Sequence, residues 1–397
     1  MSEPASLWVT IIGLGEGGAE ALPPAARRAI EDADIIFGGP RHLELVAAGT
    51  RGRAWPVPFD IAPVLAERGR RVAVLASGDP FWFGAGSLLA EALEPGAWTA
   101  LPAPSTFSLV AAALGWRLEE VQCLGLHAAP LDRLRPALQE GGRVICTLRD
   151  GQGPAALADW LCRNGFGASE IAVAEAMGGP RERLRRVRAD AFDLDEVRAP
   201  VAAAISVRGR GLSRASGLSD ALFASDGQIT KRPVRALTLS ALEPRDGGLL
   251  WDLGAGSGSV SVEWCLAARG AKAVALERRA DRARNIEANA AAFGLDHRIA
   301  VHVADLPAGL ADLPPPDAVF IGGGATEALL GALWPLLPAG CRLLANGVTL
   351  ETEALLAHWQ AARGGELLRI DIAQAEPLGR MRGWRAARPI VQWSVER

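Results

Sequence analysis

An acid and three alternate glycines lie where a strand should meet a helix in the second half of the chain. Residues 249–258 read Leu-Leu-Trp-Asp-Leu-Gly-Ala-Gly-Ser-Gly. The apolar run from Leu249 to Leu253 predicts a buried parallel strand, and a helical pattern begins at Ser259. Glycine lets the backbone approach a ligand closely, and the first N–H groups of the helix point at it. This strand end therefore predicts a site for an adenosine-containing cofactor.

The spacing of the glycines separates two classes of cofactor. A dinucleotide site needs Gly-x-Gly-x-x-Gly, and counting from Gly254 the third glycine position falls on Ser259. Its hydroxymethyl group would intrude on helix–strand packing. The pattern Asp-x-Gly-x-Gly-x-Gly instead resembles motif I of the class I S-adenosylmethionine methyltransferases. On that resemblance the cofactor-binding residues here are Asp252, Gly254, Ala255, Gly256, Ser257 and Gly258.

Two further strand ends support the same cofactor. A strand predicted over Lys272 to Leu276 ends in Glu277, about 20 residues after the loop, where an acid can accept both ribose hydroxyls. The next predicted strand, Ile299 to Val303, ends at Ala304 and Asp305. Class I methyltransferases usually contact the adenine at this position. Three strand ends in this order favour a cofactor site over a purely structural turn.

Composition excludes several functional classes. The chain has 397 residues and a formal net charge of −3, which predicts two or three domains and does not favour nucleic acid as the main partner. The basic stretch 181–188 is interrupted by apolar residues and predicts a solvated edge strand or helix. No apolar run is long enough to cross a membrane and no secretion signal is apparent, so we expect a cytoplasmic protein. The five scattered cysteines predict neither disulfides nor a metal site.

Glycine and serine concentrate in residues 209–227, which predicts a linker between domains 1–208 and 228–397. After it, strands alternate with helices, as in a Rossmann-like class I methyltransferase fold. The overall expectation is an α/β protein. Its predicted second-half strands are 249–253, 272–276, 299–303, 317–321 and 341–345, with a terminal pair near 367–374 and 388–395.

The first half has its own glycine-rich turn. A strand predicted over Trp8 to Ile12 leads into residues 13–18, Gly-Leu-Gly-Glu-Gly-Gly, which formally satisfies the dinucleotide fingerprint. Two features argue against that ligand. Pro23 and Pro24 would interrupt the helix that should start in the turn. Asp34 precedes its strand rather than ending it and so lies at the wrong edge of the sheet.

This half instead resembles the tetrapyrrole methylase family. The matching segments are Gly13-x-Gly15, Ala33 to Ile36, Ser77 to Pro80 after a strand predicted over Val72 to Ala76, and Pro104 to Ser108. In that family the strand-end turns form a cleft between two α/β subdomains, where S-adenosylmethionine lies folded. The resemblance implies cofactor contacts by Gly13, Gly15, Ser77, Gly78, Asp79, Pro80, Ser105 and Thr106, although the family more often has glycine where Ser105 stands.

A chain with both halves resembles the bifunctional, decarboxylating methyltransferases of cobalamin biosynthesis. The resemblance implies methyl transfer from S-adenosylmethionine to C5 and C15 of a corrin precursor, with loss of carbon dioxide from the ring C acetate. That family assigns C5 to the first domain and C15 with decarboxylation to the second. It also implies a tetrapyrrole substrate, metal-free or cobalt-bound, and a homo-oligomer. The matching segments are Gly38 to His42, Gly227 to Arg232, Asp252 to Val262, Phe320 to Gly323, Asn346 to Thr352 and Pro377 to Arg380.

No catalytic residue is assigned by these motifs. Thr230 is expected in the cofactor pocket, and Lys231 either meets a substrate carboxylate or is solvated. Asn346, Thr349 and Glu351 follow a predicted strand end and either face the macrocycle or cap the next helix. Because the substrate is a polycarboxylate, arginines are expected at the cleft mouths.

Other methyltransferases stay open as alternatives. The second half could be an RNA or other small-molecule methyltransferase, although no Asn/Asp-Pro-Pro-aromatic motif follows Ile321. The first half could resemble the related diphthine synthase, or one half could be a non-catalytic docking module. Intact glycine loops in both halves favour two methyltransferase sites.

Overall fold

The computed structural model describes residues 6–310 and 312–397. The chain divides into two compact units. The first unit runs to residue 131 and includes 137–210, and the second comprises 132–136 and 211–397. Each contains parallel strands alternating with helices, which confirms the predicted α/β class.

Two five-stranded sheets form the first unit. The first sheet is wholly parallel, in the order β3-β2-β4-β1-β5. The second has the order β6-β7-β10-β8-β9, and only β6 and β7 run parallel. In chain order the elements are β1 (Val9–Leu14), α1 (Pro24–Asp32), β2 (Ile35–Gly38), α2 (Pro40–Leu45), β3 (Gly52–Ala54), α3 (Ala62–Leu65), β4 (Val72–Ser77), α4 (Gly86–Ala92), β5 (Trp98–Leu101), α5 (Thr106–Leu114), β6 (Val121–Gly125), β7 (Arg143–Leu148), α6 (Gly153–Arg163), β8 (Glu170–Glu175), β9 (Arg183–Arg188) and β10 (Val201–Ser206).

Local sequence accounts for several of these boundaries. β1 and β4 are almost continuously apolar because helices cover both faces of a parallel sheet. Helix α1 begins only at Pro24, as the two prolines predicted, since proline suits the first turn of a helix but not its interior. The basic stretch forms β9, an edge strand of the second sheet, which confirms the edge-strand prediction.

The second unit contains one seven-stranded sheet in the order β13-β12-β11-β14-β15-β19-β16. The first five strands of that order are parallel, and β19 runs antiparallel to both β15 and β16. A separate hairpin pairs β17 with β18. In chain order the elements are α7 (Arg232–Leu242), β11 (Leu249–Leu253), α8 (Ser259–Ala267), β12 (Lys272–Glu277), α9 (Ala280–Ala292), β13 (Ile299–Val303), β14 (Ala318–Ile321), α10 (Glu327–Leu333), β15 (Arg342–Gly347), α11 (Leu350–Arg363), β16 (Glu366–Ile370), β17 (Ala373–Leu378), β18 (Met381–Ala386) and β19 (Ile390–Glu396).

Much of the segment predicted as a linker is packed structure. Residues 211–227 belong to the second unit, and Leu218 and Phe223 are buried in its core. The Glu263 carboxylate accepts backbone N–H groups from this segment, and the Asn289 side chain exchanges hydrogen bonds with its backbone. The anchoring groups lie on α8 and α9, so local composition gave no sign of them.

No helix in residues 6–310 or 312–397 combines the length and hydrophobicity that a bilayer crossing requires.

Candidate active sites

Three turns meet at one edge of the parallel sheet in the first unit. They follow β4, β1 and β5, which are neighbours in the sheet, so their carboxyl ends lie side by side. The Gly78 N–H donates to the Leu14 carbonyl at 3.0 Å, and the Ala103 N–H donates to the Gly78 carbonyl at 3.2 Å. Backbone hydrogen bonds therefore join all three turns that the tetrapyrrole methylase resemblance indicated.

Glycine is required at two places in these turns. A Cβ on Gly13 would lie 2.0 Å from the Gly78 carbonyl oxygen and 2.4 Å from the Ala103 nitrogen. Gly78 has a φ of +58°, and its Cβ would lie 2.7 Å from the Cα of Ser105. Gly15 differs, since nothing lies within 4 Å of the position a Cβ would take. The turns are thus packed tightly at their base and leave open space at Gly15.

That open space belongs to a cavity of about 650 Å³ in the first unit. Its walls come from the three turns and from the ends of β6, β7 and β10 in the second sheet. Predicted cofactor-binding residues that line it are Gly15, Ser77, Gly78, Ser105 and Thr106. The cavity is large enough for a small-molecule ligand.

Three predicted site residues support the turns and do not line the cavity. Gly13 makes the tight backbone packing described above. Asp79 was expected to be presented to the cleft, but its carboxylate accepts the Phe81 N–H at 2.9 Å. The Pro80 carbonyl accepts the Gly86 N–H at 3.0 Å. Aspartate readily closes such a turn through its own side chain, which explains the difference.

Ser105 caps helix α5. Its hydroxyl accepts the Ser108 N–H at 3.1 Å, and the side chain is buried. Serine is a favoured residue at this position because it satisfies an N–H group that the helix cannot. The departure from the family's glycine therefore provides a helix cap at the edge of the cavity.

A polar cluster from α2 faces the same cavity. The His42 Nε2 lies 2.9 Å from the Ser77 hydroxyl and 3.1 Å from the Arg41 guanidinium, which also pairs with Glu16. Because arginine can only donate, its contact favours Nε2 of His42 as the acceptor, while Nδ1 is buried without a partner in the described structure. Burial, helped by the Arg41 charge, lowers the pKa of His42 to about 4, so the imidazole is neutral at physiological pH. The sequence matched this segment to its family but assigned it no role.

Five aromatic side chains are among the residues that line the cavity. Trp55 and Phe59 contact each other with ring centroids 5.0 Å apart, and Trp82 lies 5.3 Å from Phe107. Phe83 packs on Phe107 as well, at 5.8 Å. Flat apolar rings suit the face of a conjugated macrocycle. Sequence reasoning missed this wall, although an aromatic run directly follows the Ser-Gly-Asp-Pro turn.

The second unit has a comparable strand-end site. β11 lies between β12 and β14. The strands that follow β11 in the chain are therefore added first on one side of it (β12, β13) and then on the other (β14, β15). Ligands bind at such a reversal of strand order in open α/β sheets. The Gly254 and Ala255 N–H groups both donate to the Leu276 carbonyl. Helix α8 follows at once, with Gly258 as its N-cap residue and no side-chain cap. Gly258 has no side chain to cap α8, and Asp252 accepts the Ser261 N–H, so the N–H groups that precede Ser261 are the ones left for a ligand.

Glycine is needed at three positions of this loop for different structural reasons. Gly254, Gly256 and Gly258 all have positive φ, at +71°, +60° and +69°. A Cβ on Gly258 would also lie 2.6 Å from Cγ2 of Ile286, so this glycine lets α8 pack on α9. At Gly256 the nearest atom to a Cβ would be the Gln228 carbonyl oxygen at 3.8 Å. The loop therefore leaves room at its middle glycine and packs tightly at its last.

Glu277 holds the loop from the end of β12. Its carboxylate accepts the Gly256 N–H and the Arg279 N–H, both at 3.0 Å, and it is buried. Each carboxylate oxygen can accept more than one hydrogen bond. The residue can therefore hold the loop and still accept the ribose hydroxyls of a bound nucleoside.

Replacing Glu277 with alanine should weaken binding of S-adenosylmethionine to the second unit. The variant loses the acceptors for two ribose hydroxyls and leaves the Gly256 N–H without its partner, a loss on the order of 1 to 3 kcal/mol. Isothermal titration calorimetry on the full chain measures it. Glu287→Ala, on the exposed face of α9, is the control. Unchanged affinity in Glu277→Ala would contradict the assignment.

Asp252 lies beneath the loop. Its Oδ2 accepts both the N–H and the hydroxyl of Ser261, at 3.2 and 2.6 Å, which ties β11 to α8. Its Oδ1 is buried with no partner in the described structure. Burial raises the pKa of Asp252 to about 6, against the opposing Ser261 hydrogen bonds, and the Glu277 carboxylate adds to the rise. Asp252 therefore ties β11 to α8, whereas Glu277 contacts the loop backbone at Gly256.

The raised pKa of Asp252 predicts a pH dependence of stability. The folded unit binds this proton more tightly than the unfolded chain, so the stabilisation is complete below pH 3.8 and is lost as pH rises through about 6. A shift of this size corresponds to roughly 3 kcal/mol. Asp252→Asn keeps an oxygen acceptor for Ser261 and should remove the decline in stability with rising pH. Denaturant unfolding of both proteins from pH 4 to 7 measures it, and parallel curves would contradict the prediction.

The other predicted residues of the second unit lie around this loop or along β15. Thr230 is half-buried, and its carbonyl accepts from the Arg235 guanidinium at 2.5 Å. Lys231 is the exposed N-cap residue of α7. The Ala304 N–H donates to the Glu277 carbonyl, while Asp305 is exposed. Ser257 is buried within the loop, and Ala255 is half-buried against the core.

The three residues predicted near the end of β15 have different roles. Asn346 lies within β15, buried, and bonds to Thr238 of α7 and Gln392 of β19. Thr349 caps α11 by accepting the Thr352 N–H at 3.2 Å, the capping alternative left open by the sequence. Glu351 is exposed in the first turn of that helix. Asn346 thus ties β15 to β19 and to helix α7, and it does not face open space.

Each half of the chain matches a family of methyltransferases. Residues 9–193 match the tetrapyrrole (corrin/porphyrin) methylases, and residues 221–397 match the precorrin methyltransferase domain. Fold and family together define a protein with two fused methyltransferase domains. The class is therefore that of a two-domain tetrapyrrole methyltransferase.

Similarity to relatives extends over nearly the whole chain. A precorrin-6Y C(5,15)-methyltransferase [decarboxylating] from Sinorhizobium sp is 47% identical over 99% of this chain and 98% of its own length. One from Mycobacterium tuberculosis (strain CDC 1551 / Oshkosh) is 40% identical over 98% and 99%. The solved C-terminal domain of precorrin-6Y C5,15-methyltransferase from Rhodobacter capsulatus is 59% identical and covers 47% of this chain and 100% of that chain, with a TM-score of 0.46. The chain belongs to the family of decarboxylating precorrin-6Y C5,15-methyltransferases.

Proposed function

We propose that the protein methylates precorrin-6Y at C5 and C15 and removes carbon dioxide from the ring C acetate at C12, giving precorrin-8X in cobalamin biosynthesis. The methyl donor is S-adenosylmethionine. The first unit transfers the methyl group to C5, and the second transfers it to C15 and carries the decarboxylation. The observation that carries this proposal is the similarity to relatives of that name along the whole chain, in both units.

The residues of both units fit this methyl donor. In the first unit, the turns pack tightly at Gly13 and Gly78 and leave open space at Gly15, beside the cavity. In the second, Glu277 lies against Gly256, and the N-cap residue of α8 is a glycine, which leaves the N–H groups before Ser261 without a side-chain cap from that residue. Two separate strand-end sites support two methyl transfers by one chain.

Methyl transfer needs little chemistry from the protein. When bound, S-adenosylmethionine supplies a methyl group that is already activated by its sulfonium. The macrocycle supplies the carbon nucleophile, a C–C bond forms as the S–C bond breaks, and a proton is released. The walls of each site therefore act by aligning the two reactants and excluding water. In the first unit, Trp55, Trp82 and the strand-end turns provide such walls.

Decarboxylation is consistent with the same kind of site. As the acetate C–C bond breaks and carbon dioxide leaves, its electron pair passes into the conjugated imine system of the macrocycle, so the substrate itself is the electron acceptor. The former acetate carbon then takes up a proton and becomes a methyl group. The protein has to hold the acetate so that the breaking bond overlaps that conjugated system. In the second unit that task would fall to the strand-end loop after β11 and to the side chains around it.

Mass spectrometry of the reaction tests the proposal. The full chain is incubated with the reduced precorrin substrate and S-adenosylmethionine carrying a deuterated methyl group. We expect a product with two labelled methyl groups and one carboxyl group fewer. A product with a single methyl group, or one with two methyl groups and every carboxyl retained, would contradict the proposed activity.

A further inference from the structure

One wall of the first-unit cavity has polar groups that belong to none of the three glycine-containing turns. They are His127, Thr147 and Arg149, and all three line the cavity. They come from the carboxyl ends of β6 and β7, which are neighbouring parallel strands. The three glycine-containing turns follow strands of the other sheet. The cavity therefore has a second group of functional side chains on a different sheet.

Contacts within this group orient the Arg149 guanidinium. Its Nε donates to the His127 carbonyl at 3.2 Å, and the His127 Nδ1 lies 3.4 Å from the Thr147 hydroxyl. The His127 loop is itself held, because the Leu126 N–H donates to the Thr147 carbonyl at 3.0 Å. With Nε engaged, the two terminal nitrogens of Arg149 stay available for a ligand.

Among the residues that the structure describes, no carboxylate forms an ion pair with Arg149. In residues 6–310 and 312–397, no acidic side chain lies within 4.0 Å of its guanidinium. The other arginine that lines the cavity, Arg41, pairs with Glu16. An oriented guanidinium with free donors at a cavity wall is complementary to a carboxylate, which it can bind in bidentate fashion.

We propose that Arg149, with His127 and Thr147, binds a carboxylate side chain at the rim of the tetrapyrrole. This inference rests on the proposed function, because it takes the substrate to be a polycarboxylate macrocycle. The aromatic wall can hold the face of the ring but cannot choose its rotation in its own plane. A carboxylate fixed at Arg149 sets that rotation and so determines which bridging carbon faces the methyl donor. Arg149 is thus a specificity-determining residue of the first unit.

Substrate kinetics of Arg149→Gln test this role. Glutamine removes the charge but keeps an N–H donor, and the exposed position should tolerate it. We expect the substrate concentration for half-maximal double methylation to rise about tenfold to a hundredfold, since charged hydrogen bonds contribute this much. Half-saturation by S-adenosylmethionine should not change. Arg149→Lys should recover part of the loss, because it restores the charge without the planar fork.

Arg68→Gln is the matched control, since Arg68 is exposed, forms an exposed ion pair with Glu94 and lies outside the cavity lining. Wild-type substrate dependence in Arg149→Gln would overturn the inference, and so would an equal rise in the S-adenosylmethionine requirement. A wild-type chain that adds no methyl group would instead contradict the proposed function. A lowered melting temperature with unchanged substrate affinity would assign Arg149 to holding the His127 loop.

Discussion

Replacing Gly13 with alanine should abolish the cofactor site of the first unit while the second unit keeps its own. The added Cβ would lie 2.0 Å from the Gly78 carbonyl oxygen and 2.4 Å from the Ala103 nitrogen. Both are backbone atoms of turns that are hydrogen-bonded to each other, so no side-chain rotation relieves the contact. Overpacking of this kind costs about 3 kcal/mol or more. We expect one of two S-adenosylmethionine sites per chain to be lost in calorimetry.

Gly15→Ala is the matched comparison for folding. It adds the same methyl group two residues further along the same turn, where nothing lies within 4 Å. Hydrogen exchange of β1 and β4 should therefore match the wild type in Gly15→Ala and increase strongly in Gly13→Ala. If Gly13→Ala kept both cofactor sites and wild-type exchange, the close approach of the turns would not be essential.

The regular parts of the fold could be predicted because their signals are local. β11 is a buried, largely apolar parallel strand, so 249–253 was predicted with the bounds that the structure shows. The bounds predicted for 299–303 also agree, although β13 is an edge strand in which only Ile299 is buried. The terminal pair was found close to its predicted place, as β16 and β19. The hairpin between them was missed, because β17 and β18 are exposed on both faces and have no hydrophobic alternation.

Side-chain roles were harder to predict than strand ends. The sequence grouped Asp252 and Glu277 as cofactor-binding acids, but only geometry separates them. Asp252 bonds to Ser261 inside the helix–strand interface, whereas Glu277 bonds to the loop backbone at Gly256. Strand alternation gives the face on which a side chain lies, but not the hydrogen bonds it makes.

The substrate wall of the first unit could be predicted only in outline. Arginines at the cleft were expected from the carboxylates of the substrate. Nothing local distinguishes Arg149 from other arginines, because its role depends on the pairing of β6 with β7 and on the absence of an acidic partner in the described structure. Long-range pairing of this kind has no signature in a single sequence.

The buried charge network at Arg235 produces the second large expected effect. Arg235 is fully buried, and its guanidinium bonds to Glu263 at 2.5 Å, to Asp220 at 3.0 Å and to the carbonyls of Leu218 and Thr230. It therefore fixes the segment that leads to Thr230, and the Gln228 carbonyl of that segment adjoins Gly256. The network connects the fold of the second unit to its cofactor loop.

Arg235→Met should destabilise the second unit by about 3 to 5 kcal/mol, because it leaves the Glu263 carboxylate buried without its cation. Cofactor affinity in that unit should fall as well. Denaturant unfolding measures the loss of stability, and a separate hydrogen-exchange experiment shows whether α7 and α8 lose protection. Arg245→Met, which breaks an exposed pair with Glu243, should cost roughly 0 to 1 kcal/mol.

A double variant identifies the cause. Arg235→Met combined with Glu263→Leu removes the stranded carboxylate and should regain part of the lost stability, although the Gly217 and Leu218 N–H groups then lack their acceptor. If the double variant were no more stable than Arg235→Met, the unpaired charge would not be the cause. The loss of stability would then come from the hydrogen bonds that Arg235 donates to the Leu218 and Thr230 carbonyls.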